Sequence, residues 1–279
     1  MAKRWMMGAA AVALTVATAV AAQAADLPTK KAPVEPVYVP PPFTWTGFYV
    51  GVNAGAIWKQ GNNSNNTLFA PNFPALYAYW PNGGGGNGNT GFLGGGQAGY
   101  NFQYGAAVFG IETDFDGSSL SKSTSVIGPS FLSPVNGVND FFTANGKISL
   151  DWLGTTRLRV GFVATPDNRL MFYGTGGVAY GGGTAHLNVY DAANGIYFSS
   201  GNHNSTRTGW TLGAGVEYAL TNNIILGAEY LYYNLGSKTV TTAPLNYLAG
   251  VNNVYNGVYA SSKVNFDGSA VRARISYKF

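Results

Sequence analysis

The sequence predicts an all-β fold: an eight-stranded antiparallel transmembrane β-barrel with short periplasmic turns and four long extracellular loops. Three observations predict it. Charged residues are only 10% of the chain, against roughly a quarter in a soluble domain. Apolar residues recur at every second position in eight segments, which is the period of a strand with two unlike faces. The connections between those segments alternate long and short along the whole chain. The same composition excludes other classes. Thirty-nine glycines in 279 residues and 14% aromatics fit neither a soluble α/β enzyme nor a disordered chain, which is poor in aromatics. A formal charge of +4 with no long basic run gives no nucleic-acid footprint. Cysteine is absent, so disulfides, thiolate metal sites and cysteine nucleophiles are excluded.

Residues 1–24 read as a secretory signal peptide. Lys3 and Arg4 carry the charge, 5–20 are apolar, and Ala22-Gln23-Ala24 offers a small-residue cleavage site. Residues 25–46 read as a Pro-rich periplasmic linker. Pro28, Pro33, Pro36 and Pro40-Pro41-Pro42 favour an extended chain with nothing to pack. The barrel is expected over 47–279.

The first strand, 48–58, sets Phe48, Val50, Val52, Ala54, Ala56 and Trp58 against Tyr49, Gly51, Asn53, Gly55 and Ile57. The second, 91–104, sets Phe92, Ala98, Tyr100, Phe102 and Tyr104 against Gln97, Asn101 and Gln103. The third, 107–116, sets Phe109, Ile111 and Phe115 against Glu112, Asp114 and Asp116. The fourth, 147–164, sets Ile148, Leu150, Trp152, Leu158, Val160 and Phe162 against Lys147, Asp151, Arg157 and Arg159. The fifth, 169–189, is too Gly-rich for its facing to be read. The sixth, 207–220, sets Trp210, Leu212, Ala214, Val216 and Tyr218 against Glu217. The seventh, 224–238, sets Ile224, Leu226, Ala228, Tyr230 and Tyr232 against Glu229. The eighth, 263–279, sets Val271, Ala273, Ile275, Tyr277 and Phe279 against Arg272, Arg274, Ser276 and Lys278.

The predicted loops 59–90, 117–146, 190–206 and 239–262 fall at one end. The short turns 105–106, 165–168 and 221–223 fall at the other. Trp58, Phe92, Trp210, Tyr230, Tyr232 and Phe266 then form an upper aromatic belt. Phe48, Tyr100, Phe102, Tyr104, Phe162, Tyr218, Tyr277 and Phe279 form a lower one. Two belts around an aliphatic band match the two faces of a bilayer, which puts the apolar face outward.

Three segments carry a family resemblance. They are Pro40-Pro41-Pro42-Phe43-Thr44-Trp45-Thr46-Gly47-Phe48-Tyr49-Val50-Gly51, Thr175-Gly176-Gly177-Val178-Ala179-Tyr180-Gly181, and Val271-Arg272-Ala273-Arg274-Ile275-Ser276-Tyr277-Lys278-Phe279. They resemble the mature N-terminus, fifth strand and last strand of the small outer-membrane β-barrel family of alphaproteobacteria, the porin-family or outer-membrane immunogenic proteins. The resemblance implies a cell outer membrane location and an abundant surface protein. It also implies that Tyr277 and Phe279 end an assembly signal read by the barrel-assembly machinery. It supplies no catalytic site.

The interior of eight strands is about filled by its own side chains, so inward charges must pair. Glu112, Asp114, Asp151, Arg157, Arg159, Glu217, Glu229, Arg272 and Arg274 are expected to form a lumen ionic network. No catalytic, cofactor or metal site is expected. Gly94-Gly95-Gly96-Gln97-Ala98-Gly99 fits a dinucleotide motif, but inside a strand it makes room and has no helix to open. His186 and His203 flank the third loop without a ligand set, and Asp191 near His186 is the nearest thing to a catalytic pair. Loops of Asn, Gly and Tyr suit contacts with glycans or a host surface. Outer-membrane lipid and lipopolysaccharide are the other expected partners. Envelope structure and surface contact is the functional expectation; a narrow channel for small ions or solutes is the alternative.

Overall fold

The computed structural model describes residues 42–60, 65–69, 78–80, 90–132, 139–191, 196–244 and 259–279. The predicted signal peptide and the linker as far as residue 41 lie outside the described residues. The described part belongs to one compact unit, Pro42–Phe279. Its strands are β1 (Gly47–Lys59), β2 (Asn65–Phe69), β3 (Ala78–Trp80), β4 (Thr90–Tyr104), β5 (Ala107–Leu132), β6 (Asn139–Val163), β7 (Leu170–Asp191), β8 (Ile196–Ala219), β9 (Ile224–Thr241), β10 (Ala243–Pro244) and β11 (Tyr259–Lys278).

The eight long strands pair antiparallel in the order β1-β4-β5-β6-β7-β8-β9-β11, and β11 pairs back onto β1 from Tyr49↔Lys278 to Lys59↔Gly268. The ring has no free edge, as backbone crossing a bilayer requires. Three short turns join strands at the end where Phe48 and Phe279 lie. The tightest, Gly105-Ala106, holds Gly105 at φ 58°, a conformation that costs other residues but not glycine. Asn168 takes φ 60° in the next turn, which Asn tolerates better than most. Thr221 closes the third by accepting the Ile224 N–H at 2.9 Å.

The outer face is apolar. Phe48, Val52, Phe92, Phe115, Leu158, Val160, Phe162 and Leu212 are all more than half exposed. Aromatic pairs mark both rims of this face. Above are Trp58–Tyr230, Phe115–Trp152 and Trp210–Tyr232; below are Phe48–Tyr100 and Tyr277–Phe279. Phe266 does not join the upper belt: it is 8% exposed, inside the barrel. It lies an even number of residues from Arg272, so the alternation of the strand points both inward. The facing of β7, unreadable in sequence, is settled by Met171, Tyr173, Thr175 and Ala179 inside, with Phe172 and Val178 outside.

Two predicted loops are largely strand. The ladder between β5 and β6 continues to Leu132↔Asn139, and that between β7 and β8 to Asp191↔Ile196. Beyond the lipid a Ser/Thr/Asn-rich hairpin can be wet on both faces, so its pairing needs no apolar alternation to persist. Two bulges fall where these hairpins leave the bilayer, between Gly117/Leu120 on β5 and Ile148/Trp152 on β6. A bulge adds one residue to one strand and so exchanges the two faces beyond it. Leu150, expected outside, is therefore buried.

The linker was expected to pack nothing, yet its last residues enter the barrel. Phe43 is 6% exposed and Trp45 is fully buried, within a cluster that includes Val108, Val163, Met171, Tyr173, Ala219 and Ile225. Trp45 is held by its indole N–H donating to the Asn168 carbonyl at 2.8 Å and its backbone N–H donating to Gln103 Oε1 at 2.8 Å. The Arg169 guanidinium and the Lys278 ammonium both lie over the Phe43 ring. Trp45→Ala should therefore lower stability by about 3–5 kcal/mol, the usual cost of emptying a buried aromatic site. Trp58→Ala, at the lipid rim, should cost clearly less. Urea unfolding of the refolded barrel in phosphatidylcholine bilayers checks this; equal losses would mean that Trp45 does not seal the floor.

Candidate functional site in the barrel interior

Charged residues on one strand face recur at i and i+2, about 7 Å apart. Three strands use this spacing: Glu112, Asp114 and Asp116 on β5, Arg157 and Arg159 on β6, Arg272 and Arg274 on β11. Pairing register brings opposite charges side by side, with Glu112↔Arg157 on β5/β6 and Arg272↔Glu229 on β9/β11. Ring closure then turns these two walls toward each other.

The result is one continuous layer of ion pairs across the barrel. Arg157 meets Glu112 and Asp114 of the neighbouring strand and Glu229 of the far wall, each at 2.7 Å. Arg272 reaches from the other side to Asp114, Asp116 and Glu229, also at 2.7 Å. Arg159 pairs with Glu217 at 2.7 Å and Glu112 at 3.1 Å. Arg274 contacts Glu112, and lies 3.3 Å from Glu229 and 3.7 Å from Glu217. Every one of these side chains is at most 4% exposed.

Two tyrosines complete the layer. Tyr49 donates to Glu112 at 2.7 Å and accepts from Arg159 at 2.6 Å. Tyr173 donates to Glu229 at 3.1 Å and accepts from Arg274 at 3.0 Å. The Arg159 guanidinium lies 4.0 Å over the Tyr173 ring, a cation–π contact that shields the charge further. Beside them Asn53 donates to Gln97 at 3.0 Å, and Gln97 donates to Ser276 at 3.2 Å.

Eight of the nine residues expected in the lumen meet here. Asp151 does not. It is exposed on the outer wall, where it lines a shallow depression with Lys147, Ser149, Thr184 and His186. The β6 bulge between Ile148 and Trp152 turns it out. Asp116, on the polar face of its strand but left out of the expected network, fills the fifth acidic place. Alternation alone would have found it, since it continues Glu112 and Asp114. Tyr49 was legible as inward from its strand. Tyr173 was not, because its strand is Gly-rich. The side chains of His203 and Asp191 lie outside the described residues.

Apolar clusters flank the ionic layer above and below. Below sits the Phe43–Trp45 cluster. Above, Ile57, Leu93, Leu120, Leu150, Leu153, Ala179, Tyr233, Leu235, Phe266 and Ala270 share one buried cluster. Chemically, the layer is a lattice of paired charges, in which Asp114 Oδ1, Asp116 Oδ1 and the Nε of Arg157, Arg159 and Arg274 are buried without a hydrogen-bond partner among the described residues. Arg157→Met should cost about 3–5 kcal/mol, because it breaks three buried ion pairs at once and leaves five buried carboxylates to share three arginines. Asp151→Asn should change stability by no more than about 0.5 kcal/mol, the range for surface changes away from such features. Denaturant midpoints of the two variants check the assignment; a large loss in Asp151→Asn would overturn it.

The model of the outer membrane protein beta-barrel domain matches residues 10–279. The chain is 36% identical over 270 residues to the 31 kDa outer-membrane immunogenic protein of Brucella melitensis, covering 94% of this chain and 95% of that one. It is 30% identical over 211 residues to the 22 kDa outer membrane protein of Rhizobium leguminosarum bv. viciae, covering 75% and 71%. Among solved structures it is similar to the outer membrane protein OprG of Pseudomonas aeruginosa, at 12% identity and TM-score 0.48 over 85% of this chain and 98% of that one.

Proposed function

The chain belongs to the outer membrane protein β-barrel family, and from that premise we propose that it serves envelope structure and surface contact through its loops, with a lumen that does not conduct. As an outer-membrane protein it contacts membrane lipid and, in the outer leaflet, lipopolysaccharide. The observation that carries the proposal is the filling of the interior. An apolar floor around Trp45, an ionic layer around Arg157 and Arg272, and an apolar layer around Leu153 follow one another along the axis. An ion would have to cross two apolar layers and displace charges that already hold each other.

The likeness to outer-membrane immunogenic proteins supports reading this chain as a surface antigen, not an enzyme. Glycan or host-surface contacts fit the Asn/Gly/Tyr loops. Tyr277 and Phe279, 49% and 70% exposed and meeting edge to face at the end of the last strand, support reading this end as the signal for the barrel-assembly machinery. The deciding experiment is a planar-bilayer recording of the refolded mature barrel, with folding checked by heat-dependent gel mobility. No discrete steps are expected, and loop deletions should abolish surface contact while leaving the fold. Conductance steps that change in Arg272→Ala or Glu229→Ala would replace this reading with a narrow ion channel.

A further inference from the structure

The outer wall changes character at the upper aromatic belt. Phe115 stacks on Trp152 with ring centroids 5.3 Å apart, and the Tyr180 ring lies 6.3 Å from Trp152 on the other side. Below this shelf the wall is apolar, with Leu158, Val160 and Val178 more than half exposed. Directly above it lies a depression of about 300 Å³, lined in part by Ser121, Lys147, Ser149, Asp151, Thr184 and His186. The pairing registers order it along the strands. Asp151 adjoins Trp152, Ser149 pairs with Ser121 on β5, and Lys147 stands opposite His186 on β7. Antiparallel partners bring their side chains within about 5 Å of each other, so an ammonium and an imidazole converge on one spot. His186 is four residues beyond Gly182, the partner of Trp152. On a tilted strand that puts the spot about 10 Å further from the bilayer than the shelf. Lys147, Asp151 and His186 are exposed, and no ion pair joins the three to one another.

We propose that this depression holds lipopolysaccharide of the surrounding leaflet by its acidic saccharide, with the anionic group between Lys147 and His186. The proposal rests on the outer-membrane setting with the long hairpins outward, and it stands whether or not the lumen conducts. The order of charge along the axis selects the ligand. At the top, the Lys147 ammonium and the His186 ring N–H donate to a phosphate or a sugar carboxylate. Beneath them Ser121, Ser149 and Thr184 both give and take hydrogen bonds, and the Asp151 carboxylate takes them. That mixture suits the hydroxyls of a sugar. Trp152 and Tyr180 offer ring faces at the belt, and the apolar wall below offers a path for acyl chains. A phospholipid fits in reverse. Its phosphate follows directly on its acyl chains, at the level of Asp151, which repels it. The amine of phosphatidylethanolamine would then stand beside Lys147. A lipid with hydroxyls between its chains and its anion sets each group beside its complement.

The test is native mass spectrometry of the mature barrel in a non-ionic detergent, titrated with deep-rough lipopolysaccharide. EDTA is present, so that no divalent cation bridges the charges. A saturable species with one lipopolysaccharide per barrel is expected, formed in preference to phosphatidylglycerol or phosphatidylethanolamine at equal concentration. Lys147→Gln should weaken it by about tenfold, the loss of a charge-assisted contact, and adding His186→Gln should weaken it further. Asp151→Asn should raise phosphatidylglycerol binding, because the carboxylate that repels its phosphate is gone. All three positions are exposed, so the variants should fold, and heat-dependent gel mobility checks that they do. Lipopolysaccharide that shows no saturable binding would overturn the proposal. So would unchanged affinity in folded Lys147→Gln. Full competition by millimolar inorganic phosphate would make this a free-anion site instead. Phosphatidylglycerol that binds as well as lipopolysaccharide, and is lost equally in Lys147→Gln, would make it a phospholipid site.

Discussion

The hydrogen-bonded seam between β1 and β11 is the constraint on which the rest depends. In hydrocarbon an unpaired strand edge has no water to satisfy it, so the last strand must return to the first. That seam runs for eleven residue pairs, from Tyr49↔Lys278 to Lys59↔Gly268. Closing eight strands fixes the width of the interior at about what side chains can fill. What fills it is then decided by the outer face. Lipid claims the apolar residues, so the alternate positions inherit the polar ones. Charges that would stand on the surface of a soluble protein are here forced together in the middle.

Forcing them together has a use beyond neutralisation. Replacing buried ion pairs by apolar residues is often neutral or stabilising in other proteins, so stability alone does not explain the layer. Facing does. A slip of one residue in register moves every side chain of a strand to the opposite face. On β6 and β11 such a slip would drive Arg157, Arg159, Arg272 and Arg274 into lipid. Each costs about 2–4 kcal/mol near the bilayer midplane, before the carboxylates left behind are counted. An all-apolar interior would carry no such penalty. The ionic layer therefore reads as the device that fixes register in strands otherwise weakened by glycine, such as Gly94–Gly96 and Gly181–Gly183.

This is also why so much was legible in sequence. Alternation sorted the faces of seven strands and gathered eight of the nine expected lumen residues, since a period of two needs no tertiary information. It failed where the period breaks. The β5 and β6 bulges turned Asp151 out and Leu150 in. No residue type at 149–151 announces a bulge, because bulges are set by how neighbouring strands leave the bilayer together. Tyr173 was hidden by a strand whose glycines carry no facing signal. Phe266 and Asp116 were readable by parity and were misjudged on aromatic content and on count. The burial of Trp45 was hidden by its prolines. Only the floor of a closed barrel provides a place for an indole at the end of an extended arm.

The same division separates what is fixed in this protein from what is free to vary. Between the aromatic belts, each inward position answers to several others: changing Glu112 touches three arginines and Tyr49 at once. Above the upper belt that coupling ends. The β5–β6 and β7–β8 hairpins run on past the upper belt as backbone ladders, with Thr143, Ala185 and Val189 still buried along them. Short strands add to this rim: β2 pairs with the top of β11 and β10 with β8. Backbone pairing is indifferent to side-chain identity, so these ribbons can change sequence without losing their place. A barrel that spends its charges on one rigid layer thereby holds its outward surface at a set height and leaves the chemistry of that surface open.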